Sequence, residues 1–593
     1  EKVKLMSFDG IFINGICQEL TGKLVQGKVE KVHQPESHTL IFLIRNQGEN
    51  YQLLISSDPN NSRIHLTSEK KTNPLHPPLF CMVLRKHLNG GKINSISQPG
   101  LERVVRIHFS TYTELGDLEG RTLVCEFMGK HSNIILLDND GKIIDSIKRV
   151  SHSISRFREV LPGRAYIDPP SQGKSNLVEI DEDRLASMIM SADSIKLTKL
   201  LVQNIQGISP LIATEMVFRS GIPLSVKSDL CGLTEIRKLS QNLAGLQQII
   251  TSGNFSPCIY TEKRKLVAFS SIALTHLNLG ILEYFETLNI TADTFYLAKD
   301  NLDRFVQLKN SLLQKADQEI DKVTAKLNLQ YNELTSALEC EADKVKGQLI
   351  TNNIYQIPLG AAKVSVINYF DPDMPTIEIE LDPNHTAADN AQAYFKSYNK
   401  SKKTIANLTQ QICIGEENQS YLESIKAFIT QCQTIADLAE IKLELTEQGY
   451  LTPSKPDAQK KREQIAPLSP LEFTSSDGFK VLVGRNNKQN DWLTLKNSQK
   501  EDIWLHTKNI PGAHVIIKTE GLSVPHQTIY EAALLAAYFS KAAHSSQVPV
   551  DYTKVKFVKK PSGAKPGMVI YTNEQTVFTK ANDPWFMALG LDD

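Results

Sequence analysis

Asp502-Ile503-Trp504-Leu505-His506-Thr507-Lys508-Asn509-Ile510-Pro511-Gly512-Ala513-His514-Val515 decides how the C-terminal part of this chain reads. Apolar and polar residues alternate as on a β-strand, and a Pro-Gly turn interrupts them. Trp504 and two histidines share the stretch, a mixture that a merely packed strand has no need for. It suits a β surface in contact with something aromatic or anionic. Further on runs a lysine ribbon, Asp551-Tyr552-Thr553-Lys554-Val555-Lys556-Phe557-Val558-Lys559-Lys560-Pro561-Ser562-Gly563-Ala564-Lys565-Pro566-Gly567. Read as a strand, Lys554 and Lys556 lie on a cationic face and Val555 and Phe557 on an apolar one. From Lys554 to Lys565 there are five lysines and no acid, a single-sign strip that fits a phosphate backbone. The same lysines also fit a solvated edge strand, where charge blocks aggregation. Trp504, His506, Lys508, His514, Lys554, Lys556, Lys559, Lys560 and Lys565 are the candidate nucleic-acid-contacting residues. Thr528–His544, rich in alanine and leucine, is predicted as a helix on that sheet.

Working outward, 471–593 forms this module and 451–470, rich in proline and lysine, a linker. Before it, 295–450 reads as two helical arms. Leu313, Ala316, Ile320, Val323, Leu327, Leu334 and Ala337 fall on a 3-4 repeat, continuing less regularly through Val345 and Leu349. Ala391, Tyr394, Tyr398, Ile405, Leu408 and Ile412, then Leu422, Ile425, Ile429 and Cys432, form the second seam. Between them 363–381 reads as two short strands. The arrangement predicts an antiparallel coiled coil with a β-hairpin insert, each arm roughly 60–70 Å at ~1.5 Å per residue; a compact helical bundle is the alternative. Residues 177–290 are mostly helical. In them Ile205-Gln206-Gly207-Ile208-Ser209-Pro210 reads as the turn of a helix-hairpin-helix, able to meet a phosphate, or as an ordinary helix–helix turn. Residues 6–172 alternate β-branched runs (Leu40–Arg45, Tyr51–Ile55, Val104–Phe109, Thr122–Glu126, Asn133–Leu137) with helical pieces at Phe12–Leu24 and 80–88. Asp138-Asn139-Asp140-Gly141 marks a hairpin. The fold class is multidomain α+β.

At 593 residues the chain exceeds one core. Lysine plus arginine equals aspartate plus glutamate at 66 each, so nucleic-acid contact must come from local patches. No apolar run approaches the ~20 residues of a membrane span. The N-terminus lacks a signal-peptide core, and Met6 reads as a more natural start than Glu1. Eight scattered cysteines without a Cys-x-x-Cys pair fit a reducing cytosol better than zinc or disulfides. No Ser-His-Asp, Walker or metal-ligand spacing emerges, and no cofactor is implied.

A second basic concentration lies in the first domain: Arg85, Lys86, His87, Lys92, Arg103 and Arg106, with Glu102 as the only acid among them. A later run holds Lys148, Arg149, Arg156, Arg158 and Arg164 against Glu159. Guanidinium forks suit phosphate oxygens and base edges. Glu102-Arg103 heads an apolar strand and is equally open to a structural salt-bridge role.

Several stretches resemble the NFACT family. They are Met6-Ser7-Phe8-Asp9-Gly10, Gly27-Lys28-Val29-Glu30-Lys31-Val32-His33-Gln34-Pro35, Asn73-Pro74 through Met82, Leu84-Arg85-Lys86-His87-Leu88 and Glu126-Phe127-Met128-Gly129-Lys130-His131-Ser132-Asn133. Asp389-Asn390-Ala391, Tyr394-Phe395-Lys396 and Tyr398-Asn399-Lys400 resemble the family's second arm, and the C-terminal stretch its RNA-binding-type module. The resemblance implies a ribosome-associated quality-control factor. Such a factor binds a large ribosomal subunit obstructed by peptidyl-tRNA, recruits alanyl-tRNA and directs untemplated alanine tailing, with a small RNA-binding accessory factor as a further partner. Peptide-bond formation would be the ribosome's own chemistry. An Asp-Arg pair is tied to tRNA recognition in that family; Glu102-Arg103 stands in its place, with the carboxylate one methylene further out. Lys130 replaces the family's Arg in Met-Gly-Arg-His. The tRNA-contacting set implied is Arg85, Lys86, His87, Glu102, Arg103, Met128, Lys130, His131, Lys148 and Arg149. Three rival readings stand beside it: a surface adhesin that binds fibronectin; a protein like the formamidopyrimidine-type DNA glycosylases, whose N-terminal Pro-Glu has no counterpart in Met6-Ser7-Phe8; and a coiled-coil scaffold, which leaves the two basic patches unexplained.

Overall fold

The computed structural model describes residues 8–112, 116–170, 172–263, 265–452, 468–543 and 545–580. Most of the 451–470 linker, the Met6-Ser7 start and the last residues of the C-terminal module lie outside them. Contacts divide the chain into one unit ending at Asp300 and another beginning at Asn301.

The first unit is organised around α1 (Gly10–Leu24). Asp9 caps it, accepting the Phe12 N–H at 2.9 Å, and Phe12, Ile13, Ile16, Leu20 and Leu24 are fully buried. The chain then runs β1 (Lys28–Glu36), β2 (Thr39–Asn46), β3 (Glu49–Ser56), β4 (Arg63–Leu66), α2 (Leu79–Leu88), β5 (Lys92–Ser97), β6 (Val104–Tyr112), β7 (Leu118–Glu126), β8 (Asn133–Leu137) and β9 (Ile143–Ser146). These strands make one sheet in the order β4-β3-β2-β1-β5-β6-β7-β8-β9. One register pair, Lys28 with Lys92, joins β1 to β5, so two antiparallel meanders meet there and α1 fills the core between them. The Asp138–Gly141 turn joins β8 to β9, as its Asp-Asn-Asp-Gly sequence implies.

A helical layer follows. β10 (Ser175–Asn176) precedes α3 (Glu182–Met190) and α4 (Leu197–Asn204); β11 (Ile205–Gln206) pairs parallel with β10. Then come α5 (Pro210–Arg219) and α6 (Leu233–Ser252). A small sheet of β12 (Cys258–Glu262), β13 (Lys265–Ser270) and β14 (Ile281–Tyr284) leads to α7 (Leu288–Leu338). The Glu19 carboxylate accepts the N–H groups of Leu288 and Asn289, anchoring the first turn of α7 on α1.

In the second unit α7 continues, breaks at Cys340, and resumes as α8 (Glu341–Asn352). β15 (Lys363–Ile367) and β16 (Thr376–Glu380) pair as a hairpin, and α9 (Ala387–Gln431) returns. Thr386 and Asp389 close a capping box at its start. The arms run antiparallel: Asp317 bonds Lys426, Thr324 bonds Gln419 and Gln330 bonds Gln411. At 45 residues α9 is about 68 Å long at ~1.5 Å per residue. Leu349, Ile350, Val366, Ile379, Leu381 and Ala391 give the hairpin end a core of its own.

α10 (Ile435–Glu447) packs at the base of the arms beside a six-stranded sheet. Its strands are β17 (Leu471–Thr474), β18 (Lys480–Val483), β19 (Ile503–Thr507), β20 (Val515–Ile517), β21 (Gln547–Lys554) and β24 (Gln575–Lys580), in the order β17-β18-β20-β19-β21-β24. α11 (Asn487–Trp492) and a π-helical turn (Leu493–Asn497) lie before β19, α12 (His526–Tyr538) before β21, and the pair β22 (Val558–Lys559) and β23 (Ile570–Tyr571) before β24. One core joins Leu312, Ala316, Ile425 and Ile429 of the arms to Leu505, Val515 and the alanines of α12.

Two expectations are corrected. α12 ends at Tyr538, because the chain turns at Phe539 to accept the Ala513 N–H at 2.9 Å and bridge Gly512 to Ser540; His544 lies outside the described residues. The ribbon is not one strand either: β21 stops at Lys554 and residues 555–557 form a 3₁₀ turn, with the N–H groups of Val555 and Lys556 held by the carbonyls of Asp502 and Lys500. Among the described residues, no helix is long and apolar enough to cross a membrane.

Candidate nucleic-acid interface

Glu102 and Arg103 sit in the loop before β6, where three chain segments converge. Gly10 makes this possible: a Cβ there would lie 2.0 Å from the Leu101 carbonyl oxygen and 2.8 Å from the Gly207 Cα. Gly207, at φ +88°, could not carry a Cβ either, which would meet Leu101 Cβ at 2.7 Å. The turn between α4 and α5 is therefore packed on the 98–103 loop. Gln206 donates to Glu102 Oε1 at 2.6 Å and accepts the Leu101 N–H at 3.1 Å. Gln98 donates to the carbonyls of Gly10 and Glu102 at 2.9 and 2.7 Å.

The carboxylate of Asp9 is buried at this junction and accepts the Ser209 hydroxyl at 2.6 Å. Burial pushes its pKa up from 3.8 to about 6, against the hydrogen bonds of Ser209, Phe12 and Ile11 and the charge of Arg103. Arg103 itself is half-buried, and among the described residues its guanidinium has no hydrogen bond or ion pair. Burial lowers its pKa, while the charges of Asp9 and Glu102 raise it. Lys174 is close enough to feel both members of the Glu102-Arg103 pair. The result is a planar cationic fork in the field of two carboxylates, with its donors uncommitted, the chemistry that reads phosphate oxygens or base edges.

The remaining basic residues of the first unit do not form one free patch. Arg85 donates to the Val32 carbonyl at 2.7 Å, Lys148 to those of Ser57 and Ser132 at 2.6 and 2.9 Å, and Arg149 pairs with Asp145. Arg106 pairs with Asp168, Arg164 with Glu159, and Arg158 with the fully buried Glu126. Lys86 is exposed and His87 half-buried, its pKa lowered by burial and by Arg121. Met128 packs on a small apolar cluster, and Lys130 and His131 project from an exposed 3₁₀ turn.

In the second unit the expected aromatic contact surface is corrected. Trp504 and His514 are buried, with Trp504 5.2 Å from His514, 5.7 Å from His506 and 4.8 Å from Tyr571 between ring centroids. His506 is half-buried. Burial lowers both histidine pKa values, that of His506 to about 4, so both rings are neutral at pH 7. The reason is a second cover: α12 packs on one face of the sheet, while Leu493 of the π turn, Val555, Val558 and Tyr571 close over the Trp504 face. The lysines are also unequal. Lys554 and Lys556 both pair with Glu501, at 2.7 and 2.8 Å, and Lys560 pairs with Asp491. Lys565 lies between the rings of Tyr421 and Tyr450, at 4.7 and 4.8 Å, and donates to the Tyr450 hydroxyl. Lys508 is exposed, 3.6 Å from Asp551. Lys559 is exposed, its ammonium group without a partner among the described residues.

Residues 9–464 match the family described as NFACT N-terminal and middle domains, and residues 470–573 that described as NFACT protein RNA binding domain. The chain belongs to the NFACT family. It is 40% identical to the Rqc2 homolog RqcH of Bacillus subtilis, over 97% of this chain and 98% of that one. The human ribosome quality control complex subunit NEMF is 23% identical, over 58% of this chain and 33% of NEMF. Among solved structures, the fibrinogen binding protein from Staphylococcus aureus is 32% identical, covering 49% of this chain and 99% of that one at a TM-score of 0.42.

In this NFACT protein the residues that sequence reading passed over are those around Glu102 and Arg103: Gln98 and Gln206, which bond Glu102, and Asp9 and Lys174, whose charges act on the pair. Asp9-Gly10 before an apolar helix carried the one usable signal, a capping residue followed by a glycine with no turn to make. The two glutamines carried none, since an amide's role depends on what folds against it.

Proposed function

We propose that this NFACT protein acts in ribosome-associated quality control in the cytoplasm, as a tRNA- and ribosome-binding factor rather than an enzyme. It binds large ribosomal subunits obstructed by peptidyl-tRNA, recruits alanyl-tRNA through the Glu102-Arg103 site and directs untemplated alanine tailing, with peptidyl transfer left to the ribosome. A small RNA-binding accessory factor is a further expected partner. Family membership sets the class of function, and one observation carries the site: the uncommitted guanidinium of Arg103 in the field of Asp9 and Glu102. An arginine used only for structure would pair with one of these carboxylates, as Arg158 pairs with Glu126. Glu102 is held by Gln206, so Glu102→Asp, one methylene shorter, weakens that hold while keeping the charge.

The test is to sequence RNA that co-purifies with the protein and to follow co-sedimentation with large subunits. Wild type should enrich tRNA and sediment with free large subunits more than with intact ribosomes, increasingly weakly as salt rises. Arg103→Ala should lose the tRNA and the tailing but keep subunit binding. Equal occupancy of translating ribosomes, or unfolding of the first unit by Arg103→Ala, would refute the reading.

A further inference from the structure

We infer that the end of α11, with the π-helical turn that follows it, is a stacking platform for one unpaired RNA base, with Trp492 as the stacking face and Lys496, Lys500 and Lys559 as phosphate contacts. The inference rests on the RNA-binding reading of this module and names the form of RNA it takes.

The module presents one large aromatic ring to solvent while burying another. Trp492 is 44% exposed and Leu495 46% exposed, whereas Trp504 in the same module is 0% exposed. The supporting helix is fixed from its inner side. Asn487 bonds Ser424 at 2.9 Å, and Gln489 donates to Glu440 at 3.1 Å and to the Leu468 carbonyl at 3.0 Å. Asn490 accepts the His514 N–H at 3.0 Å, Thr494 meets His514 Nδ1 at 2.7 Å, and Leu493 is fully buried. Trp492 is thus presented by a preorganised element. π turns are rare and are frequent at functional sites.

The chain segments on either side of this ring, and the ribbon that pairs with them, are mostly cationic. Residues 488–501 and 554–565 together hold eight lysines and two acids, Asp491 and Glu501. Both acids are already engaged: Asp491 holds Lys560 and the Gly567 N–H, and Glu501 holds Lys554 and Lys556. The Asp491–Lys560 pair brings the ribbon to the residue beside Trp492, and the Lys556 N–H bound to the Lys500 carbonyl brings it to the end of the same loop. Lys496, Lys500 and Lys559 are exposed, and their ammonium groups have no partner among the described residues. Lys496 follows Trp492 by four residues, about one helical turn.

An exposed indole with uncommitted lysines four and eight residues on, and another beside the Lys560 that pairs with Asp491, matches a base with its flanking phosphates. A duplex hides its base faces, so the occupant is a single strand, a loop or an extruded base. A protein partner would need acidic side chains around an apolar contact, and three separate point charges suit a repeating phosphate backbone better.

The probe is a 12-nucleotide single-stranded RNA, alone and annealed to its complement, titrated against the full chain at several salt concentrations. Wild type should bind the single strand more tightly than the duplex. Trp492→Ala should weaken single-strand binding about tenfold or more with an unchanged salt slope, and Trp492→Phe should restore most of it. Lys496→Gln and Lys500→Gln should each flatten the logarithmic salt slope by about 0.7. Hydrogen exchange of peptides covering β19 and α12 should match wild type in Trp492→Ala. Unchanged single-strand affinity in a folded Trp492→Ala protein would overturn the platform and leave RNA binding by the module standing. Loss of binding to ribosomal subunits without loss to protein-free RNA would also overturn it, in favour of a protein partner. No RNA binding by wild type would overturn the underlying reading with it.

Discussion

Asp9→Asn removes a charge while keeping the shape of the helix cap. The Asp9 carboxyl moves from 3.8 in an unfolded chain to about 6 in the fold, because burial disfavours its ionised form. At about 1.4 kcal/mol per pH unit this is about 3 kcal/mol. A carboxyl with a raised folded pKa stabilises the fold least where it is ionised, so the cost appears as pH rises from 3.8 and is complete above about 6. By the same linkage the cost is about 1 kcal/mol at pH 4.5 and about 3 kcal/mol at pH 7.5. Asparagine keeps an oxygen for the Phe12 N–H, and the Ser209 hydroxyl can turn to accept from its amide. The variant should therefore gain up to about 3 kcal/mol at pH 7.5 and about 1 kcal/mol at pH 4.5. Two units make a single melting temperature ambiguous, so the readout is hydrogen exchange of peptides covering α1 and β6 at both pH values. The same variant loses an anion beside Arg103 and should recruit less tRNA despite being more stable. A gain of equal size at both pH values would refute the argument, as would a loss above about 1 kcal/mol at pH 7.5.

Glu215 gives the opposite pH dependence. Burial alone would raise its pKa, but His276, Thr275 and Arg219 hydrogen-bond its carboxylate and bring it from 4.5 down to about 2. Its contribution, about 3 kcal/mol, is present above pH 4.5 and lost as pH falls toward 2; Glu215→Gln should lose most of that acid dependence in hydrogen exchange of α5. Glu501→Gln frees Lys554 and Lys556, so filter-binding affinity for RNA should rise and the salt slope steepen by between about one and two. Replacing residues 351–386 by a short Gly/Ser turn removes a tip that exposes Tyr355, Leu359, Phe370 and Met374. Sedimentation with large subunits and tailing should fall while tRNA binding by the isolated protein persists; undiminished tailing would leave the arm as a brace.

What was legible in the sequence follows from local periodicity. The 3-4 repeat of α7 and α9, the β-branched runs of β2, β3, β6, β7 and β8, and the Asp-Asn-Asp-Gly hairpin each fix a local period or turn that tertiary packing then kept. The Glu102-Arg103 pair was legible as a candidate through its resemblance to the family's own. Tertiary structure decided which charges are available and which aromatics are open. Lys148 and Arg149 read as free cations until folding brings carbonyls and Asp145 to them, and Lys554 and Lys556 until Glu501 arrives from a strand away. Strand alternation shows that Trp504 and Leu505 face opposite ways; it cannot show that both faces of the sheet are covered, which buries Trp504 and leaves Trp492 in solvent. Periodicity is a property of one segment, whereas ion pairing and burial belong to pairs of segments distant in the chain, and only the fold sets those distances.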